Sequence, residues 1–182
     1  MQGKTTAQLR GSWHNFSKYR PLIRELVTRD LKVKYRRSFL GYVWSILNPL
    51  LMMLLQTLVF SYMFRFQIEN FPLYLICGNT LFNFFNESTN MGMGSVLGNS
   101  SLIKKVYVPK FIFPISRVVS SFVNLLFSLA AIILVMLITR SPFHLTILLV
   151  WAPLVLLFLF TCGMALLLSA LAVYFRDLQY LY

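Results

Sequence analysis

Asn79, Asn83, Asn86 and Asn90 recur at intervals of four, three and four residues in a mostly apolar stretch. On a helix they fall in one stripe about 60° wide, with Glu87 just beside it. Each amide both donates and accepts hydrogen bonds, so the stripe suits one of two tasks. It ties neighbouring helices together, at roughly 0.6 kcal/mol per contact inside a membrane, or it lines a path for a hydroxyl-rich substrate. Glu87 is the sharpest single residue, because an ionisable group at membrane depth marks a functional position by default. If the span ends early, Glu87 sits at the inner interface instead. Phe82, Phe84 and Phe85 interleave on other faces, as packing groups or as platforms for sugar rings.

Three further sets carry charge. Pro21 suits the first turn of a helix. On a 3.6-residue period Leu22, Ile23, Leu26, Val27, Leu31 and Val33 then share one half, interrupted by Asp30, Lys34 and Arg37. Arg24, Arg29, Lys32 and Arg36 lie on the other half, which predicts an amphipathic helix at the membrane surface with its bases toward anionic headgroups. The bland alternative is a solvated basic segment that only sets topology. In Ser100 to Tyr107, Ser100 or Ser101 is placed to cap a short helix with Leu102, Ile103 and Val106 on its apolar face. Lys104, Lys105 and Lys110 flank that face, and Pro109 and Pro114 break the helix afterwards. The third set is Arg176 and Asp177, a stop-transfer pair or a cytoplasmic contact.

Other chemistry is missing. There is no GxxxxGK[ST] phosphate loop, no HExxH, and no cluster of His, Cys and carboxylates spaced for a metal. Cys77 and Cys162 lie in apolar stretches without CxxC spacing, which argues against a disulfide framework. No catalytic residue, metal or cofactor is therefore expected in the chain.

The elements that must hold these residues follow from composition. Of 182 residues, 58% are hydrophobic and 12% charged, half the charged share of an ordinary soluble domain. The net charge of +12 would suggest nucleic acid on a soluble chain. Here ten of the 17 Lys and Arg precede Ser38, so the charge sets topology and no nucleic-acid partner is expected. The expected fold is an all-α polytopic membrane protein with a cytoplasmic N-terminus. A polar segment at 1–20 leads to the amphipathic helix at 21–38. Four spans follow at 42–64, 71–96, 112–138 and 145–173, with an inner loop at 97–111 and a cytoplasmic end at 174–182. Pro49 and Pro153 fall inside spans and are expected to kink them. Fifteen of the 17 bases then lie inside, and only Arg65 and Arg140 outside. Gly94 and Gly98 form a GxxxG that permits close helix approach.

Three stretches together resemble the type-2 ABC transporter permeases that export lipid-linked polysaccharides, the family of O-antigen, capsule and teichoic-acid exporters. The first is RDLKVKYRRSFLGYVWSILNPLLMMLLQTLVF, with Leu40, Gly41, Trp44, Asn48 and Pro49 in the family's LG-xx-W-xxx-x-P element. The second is GNSSLIKKVYVPKFIFPIS in the inner loop, and the third is VYFRDLQYL after the fourth span. The teichoic-acid type looks nearest by its first stretch. The family carries six spans, so the chain is expected to be a truncated permease lacking two.

The resemblance implies a homodimeric permease in the cytoplasmic (inner) membrane of a bacterium. Two copies of a separate ATPase subunit would bind ATP and magnesium, and the substrate would be a polyprenyl-linked glycan. Ser100, Ser101, Leu102, Ile103, Lys104, Lys105, Val106 and Tyr107 would form the coupling helix, with Arg176 and Asp177 as a second contact or gate brace. The amphipathic helix would be a gate, with Arg29, Lys32, Lys34, Arg36 and Arg37 drawing the lipid pyrophosphate. Asn79, Asn83, Asn86, Glu87 and Asn90 would line the path. The alternatives are an exporter of drugs or lipids and, in a different class, an intramembrane enzyme of lipid or glycan metabolism. The enzyme would need clustered acids or metal ligands.

Overall fold

The structure, a computed structural model, describes residues 19–34, 43–64, 70–105, 108–139, 149–175, 177–178 and 182. All regular structure among these is helical. Helix α1 runs over 19–34. It is followed by α2 (Val43–Phe64), α3 (Phe71–Gly98), the short α4 (Ser100–Lys105), α5 (Ile112–Ile138) and α6 (Trp151–Tyr174). Three of these, α2, α5 and α6, are long and apolar enough to cross a membrane. The outward faces of α2 and α6 are apolar along their length, as at Leu51, Leu54, Leu55 and Leu58, and at Leu156, Leu159 and Leu167. Water would not tolerate such a belt on a monomer, and hydrocarbon does.

α3 is the centre of the bundle, with α2, α5 and α6 around it. Its 28 residues span about 42 Å, enough to cross, but its composition is too polar to count among the apolar spans. The polarity is arranged by face. Ile76, Thr80, Phe84, Ser88, Gly92 and Ser95 are buried against neighbouring helices. Small residues there let the helices approach, which is how helices associate in lipid, where no hydrophobic force drives them together. A Cβ on Gly92 would stand 2.8 Å from Ala165 Cβ, so α3 and α6 touch where only glycine fits. Of the pair expected to permit close approach, Gly98 does not take part, and the close approach is seen at Gly92. Gly98 is exposed, with nothing within 4 Å of its would-be Cβ.

One core joins Phe84, Val118, Leu125, Leu154 and Ala165 from α3, α5 and α6. Phe84 meets Phe122 edge-on at 5.8 Å, and Phe122 meets Phe158 at 5.0 Å. A second core joins Met53, Ile76, Ala131 and Val135 from α2, α3 and α5. Phe85 stacks on Phe160 at 5.8 Å. Phe84 and Phe85 thus both take part in packing, while Phe82 points outward.

Four expectations change at the helix ends. α6 begins at Trp151, after a 3₁₀ turn at 149–150, and 145–148 lie outside the described residues. Pro153 therefore sits in a first turn, where its missing N–H costs nothing and no kink follows. Pro114 likewise falls in the first turn of α5, buried, and does not break the preceding helix. Ser100 and Ser101 do not cap α4. The Asn99 carbonyl accepts the N–H of Leu102 (3.0 Å) and of Ile103 (3.1 Å), so both serines lie within the helix. The largest change concerns α1. Its Leu22, Ile23 and Leu26 pack on Leu102 and Ile103 of α4 and on Ile112 and Phe113 of α5, not on lipid. Periodicity fixed which face of α1 is apolar; the neighbouring protein covers Leu22, Ile23 and Leu26 of that face, while Val33 stays exposed.

Candidate functional site

The charged half of the molecule gathers where α1 crosses the ends of α3 and α5. Asp30, which interrupts the apolar face of α1, is buried because Arg117 at the start of α5 meets it at 2.9 Å. Arg29 Nη2 lies 3.4 Å from the same carboxylate oxygen and donates to Asn99 Oδ1 at 3.3 Å. Ser120 Oγ lies 3.5 Å from the other oxygen. Asn99 in turn donates to the Ser95 carbonyl at 2.7 Å, which fixes it at the junction of α3 and α4. A buried acid is tolerated only when paired and hydrogen-bonded, and Asp30 has both.

One turn further along α1, Lys34 Nζ donates to Glu87 Oε1 at 2.7 Å. Asn124 Nδ2 of α5 donates to the same oxygen at 3.0 Å. Glu87 thus ties three helices. On either side of this contact lies a cavity. One, of about 390 Å³, is lined by Trp44, Asn48 and Pro49 of α2, Asn83 and Asn86 of α3, and Ser128 of α5. The other, of about 500 Å³, runs past Arg29, Asp30, Arg117 and Asn99 toward α4. Lys34, Glu87 and Asn124 line both cavities and so form the partition between them.

The asparagine stripe divides its tasks. Asn79 donates to Gln56 Oε1 of α2, an interhelical bond. Asn90 donates to the Asn86 carbonyl at 2.9 Å and to its side-chain oxygen at 2.8 Å, within α3. Asn83 and Asn86 are exposed on the cavity bordered by α2. Thr80 borders the same groove with its buried hydroxyl unpartnered among the described residues. The stripe is therefore part tie and part lining.

Of the α1 bases, Arg29 and Lys34 turn toward Asp30, Asn99 and Glu87 rather than toward headgroups, while Lys32 is exposed. Arg36 and Arg37 lie outside the described residues, as do Val106, Tyr107 and Arg176. On α4 the apolar Leu102 and Ile103 face α1, so its exposed surface is Ser100, Ser101, Lys104 and Lys105. Asp177 is exposed after α6. Sequence reasoning did not single out Asp30, Arg117, Asn99 or Asn124 as site residues. The signal for Asn124 was present: Ser116, Ser120, Asn124 and Ser128 repeat every four residues, a polar stripe on α5. Asp30 and Arg117 each stood out as a charge in apolar surroundings, but nothing local says that they meet.

The sequence pattern described as ABC-2 type transporter matches residues 21–182. The O-antigen export system permease protein RfbA of Myxococcus xanthus is 36% identical over 167 residues, covering 90% of this chain and 63% of that protein. Its namesake from Klebsiella pneumoniae is 32% identical over 157 residues, covering 85% and 60%. The polysialic acid transport protein KpsM of Escherichia coli is 26% identical over 167 residues, covering 86% and 62%. The chain spans about three-fifths of the length of these relatives.

Proposed function

Because the chain belongs to the ABC-2 type transporter family, we propose that it is the membrane-embedded part of a permease subunit that exports a lipid-linked polysaccharide across a bacterial cytoplasmic membrane. One observation carries the reading. Trp44, Asn48 and Pro49, which stand in the family's element, converge with Asn83, Asn86 and Glu87 on one polar cleft inside an apolar bundle. Amides and hydroxyls beside the paired Lys34 and Glu87 suit a hydroxyl-rich ligand, because they exchange hydrogen bonds with it and need no charge to hold it. The relatives named above favour an O-antigen or polysialic-acid type of glycan over the teichoic-acid type.

Energy enters from outside the chain. A separate ATPase subunit, in two copies on a homodimeric permease, binds ATP and magnesium and hydrolyses the nucleotide. α4 is the coupling element. Its apolar side is packed on α1 and α5, so a push on exposed Lys104 and Lys105 is delivered to the helix that covers the cleft. Asp177 and Arg176 make a second contact on the same cytoplasmic side. Arg29, Lys32, Lys34, Arg36 and Arg37 form the basic rim that draws the carrier's pyrophosphate.

The test is the double variant Lys104→Glu with Lys105→Glu in the full-length permease. Both residues are exposed, so membrane insertion and folding should be intact while export and stimulated ATP hydrolysis fall at least about tenfold, as expected when charged contacts become repulsive. Normal export by that variant would sink the coupling role. Failure of the wild-type permease to export any lipid-linked glycan would sink the export reading itself.

A further inference from the structure

Two ion pairs hold α1 over the cleft, and they differ in access to water. In Asp30–Arg117 the side chains are 5% and 22% exposed; in Lys34–Glu87 they are 44% and 32% exposed. The second pair also forms the partition between the two cavities. We propose that Lys34–Glu87 is an exchangeable latch: a phosphate or pyrophosphate anion arriving at the membrane surface takes Lys34 from Glu87, and the two cavities become one cleft while Asp30–Arg117 holds α1 as a pivot.

The geometry permits the exchange at both partners. Lys34 passes from one anion to another and never stands uncompensated, and phosphate offers it more acceptor oxygens than one carboxylate. Glu87 is not orphaned either, since Asn124 still donates to it at 3.0 Å. A half-exposed ion pair is worth little in water, so a modest gain at phosphate suffices to break it. Asp30 has less freedom, because its side chain is only 5% exposed and releasing Arg117 would leave it only the longer 3.4 Å contact with Arg29. The latch thus makes opening of the path depend on an anionic ligand, and a neutral glycan alone does not open it. This rests on the export reading above for the ligand being lipid-linked.

The experiment measures binding of farnesyl pyrophosphate to the full-length permease with its ATPase subunits, in phosphatidylcholine nanodiscs. Glu87→Gln removes the competitor for Lys34 and should tighten binding about three- to fivefold, the weight of a half-exposed pair. Lys34→Gln should weaken it about tenfold, Lys34→Arg should restore it, and the double variant should match Lys34→Gln alone. If Glu87→Gln does not assemble, Glu87→Asp, whose shorter reach misses Lys34, should shift binding in the same direction. Repeating the series with phosphatidylglycerol in the disc separates the sources of the anion. Loss of the Glu87→Gln gain there assigns the exchange to bilayer headgroups, and its persistence assigns it to the lipid-linked ligand. Unchanged or weaker binding by Glu87→Gln and Glu87→Asp overturns the latch. Binding is read without export, so absent export with these affinities overturns only the export reading. Intact export with unchanged affinities overturns only the latch.

Discussion

The two ends of the α1 contact use the same chemistry to opposite effect. At Asp30 a nearly buried carboxylate meets a mostly buried Arg117; at Glu87 a carboxylate meets Lys34 with about a third or more of each side chain exposed. The buried pair is costly to break because each partner left alone would be a desolvated charge. The half-exposed pair is cheap to break because water or another anion replaces it. Burial, not charge, decides which contact is a pin and which is a catch. The hand of each base fits: Arg, with its planar fork, sits at the buried contact, and Lys, a mobile point charge, at the accessible one.

The largest expected effect is at the pin. Asp30→Ala should cost about 3 kcal/mol of stability, read as a lower unfolding temperature of the detergent-solubilised protein and faster amide exchange in α1. A paired Asp30→Ala/Arg117→Ala variant should recover part of that loss; additive losses would mean that the contact is not a pin. Leu26→Ala comes next, at about 2 kcal/mol, because Leu26 is the buried apolar anchor of α1. A loss as large as that of Asp30→Ala would place the anchor in packing rather than charge. Lys34→Gln should cost only about 0.5 kcal/mol. Raising salt to about 1 M should mimic that change in the wild type while leaving the Asp30 contact in place, since screening reaches exposed pairs first. Salt-induced exposure of the whole of α1 would refute the distinction. Asn83→Ala should move stability by less than about 0.5 kcal/mol while lowering export, because Asn83 faces the groove. A clear fall in unfolding temperature would instead make it a structural residue.

Much of this molecule is written locally. Runs such as Ile112–Ile138 and Trp151–Tyr174 have one reading, because a long apolar run in lipid must satisfy its own backbone and so must be helical. Glu87 stood out because one acid among amides and aromatics is costly wherever it is placed. The periodicity of 22–33 gave an apolar half to α1 for the same local reason.

What covers that half was not local. Leu26 faces α4 and α5, and Asp30, which looked like a flaw in the apolar face, is what fastens it. α1 and α5 lie far apart in the chain, and their contact depends on how α3 and α5 rotate against each other. The sequence by itself determined the helices, their apolar faces and Glu87 as a residue out of place. Only the tertiary structure decided that one acid is buried with an arginine and the other left half-exposed with a lysine, because burial belongs to the packing of several helices and to no single one.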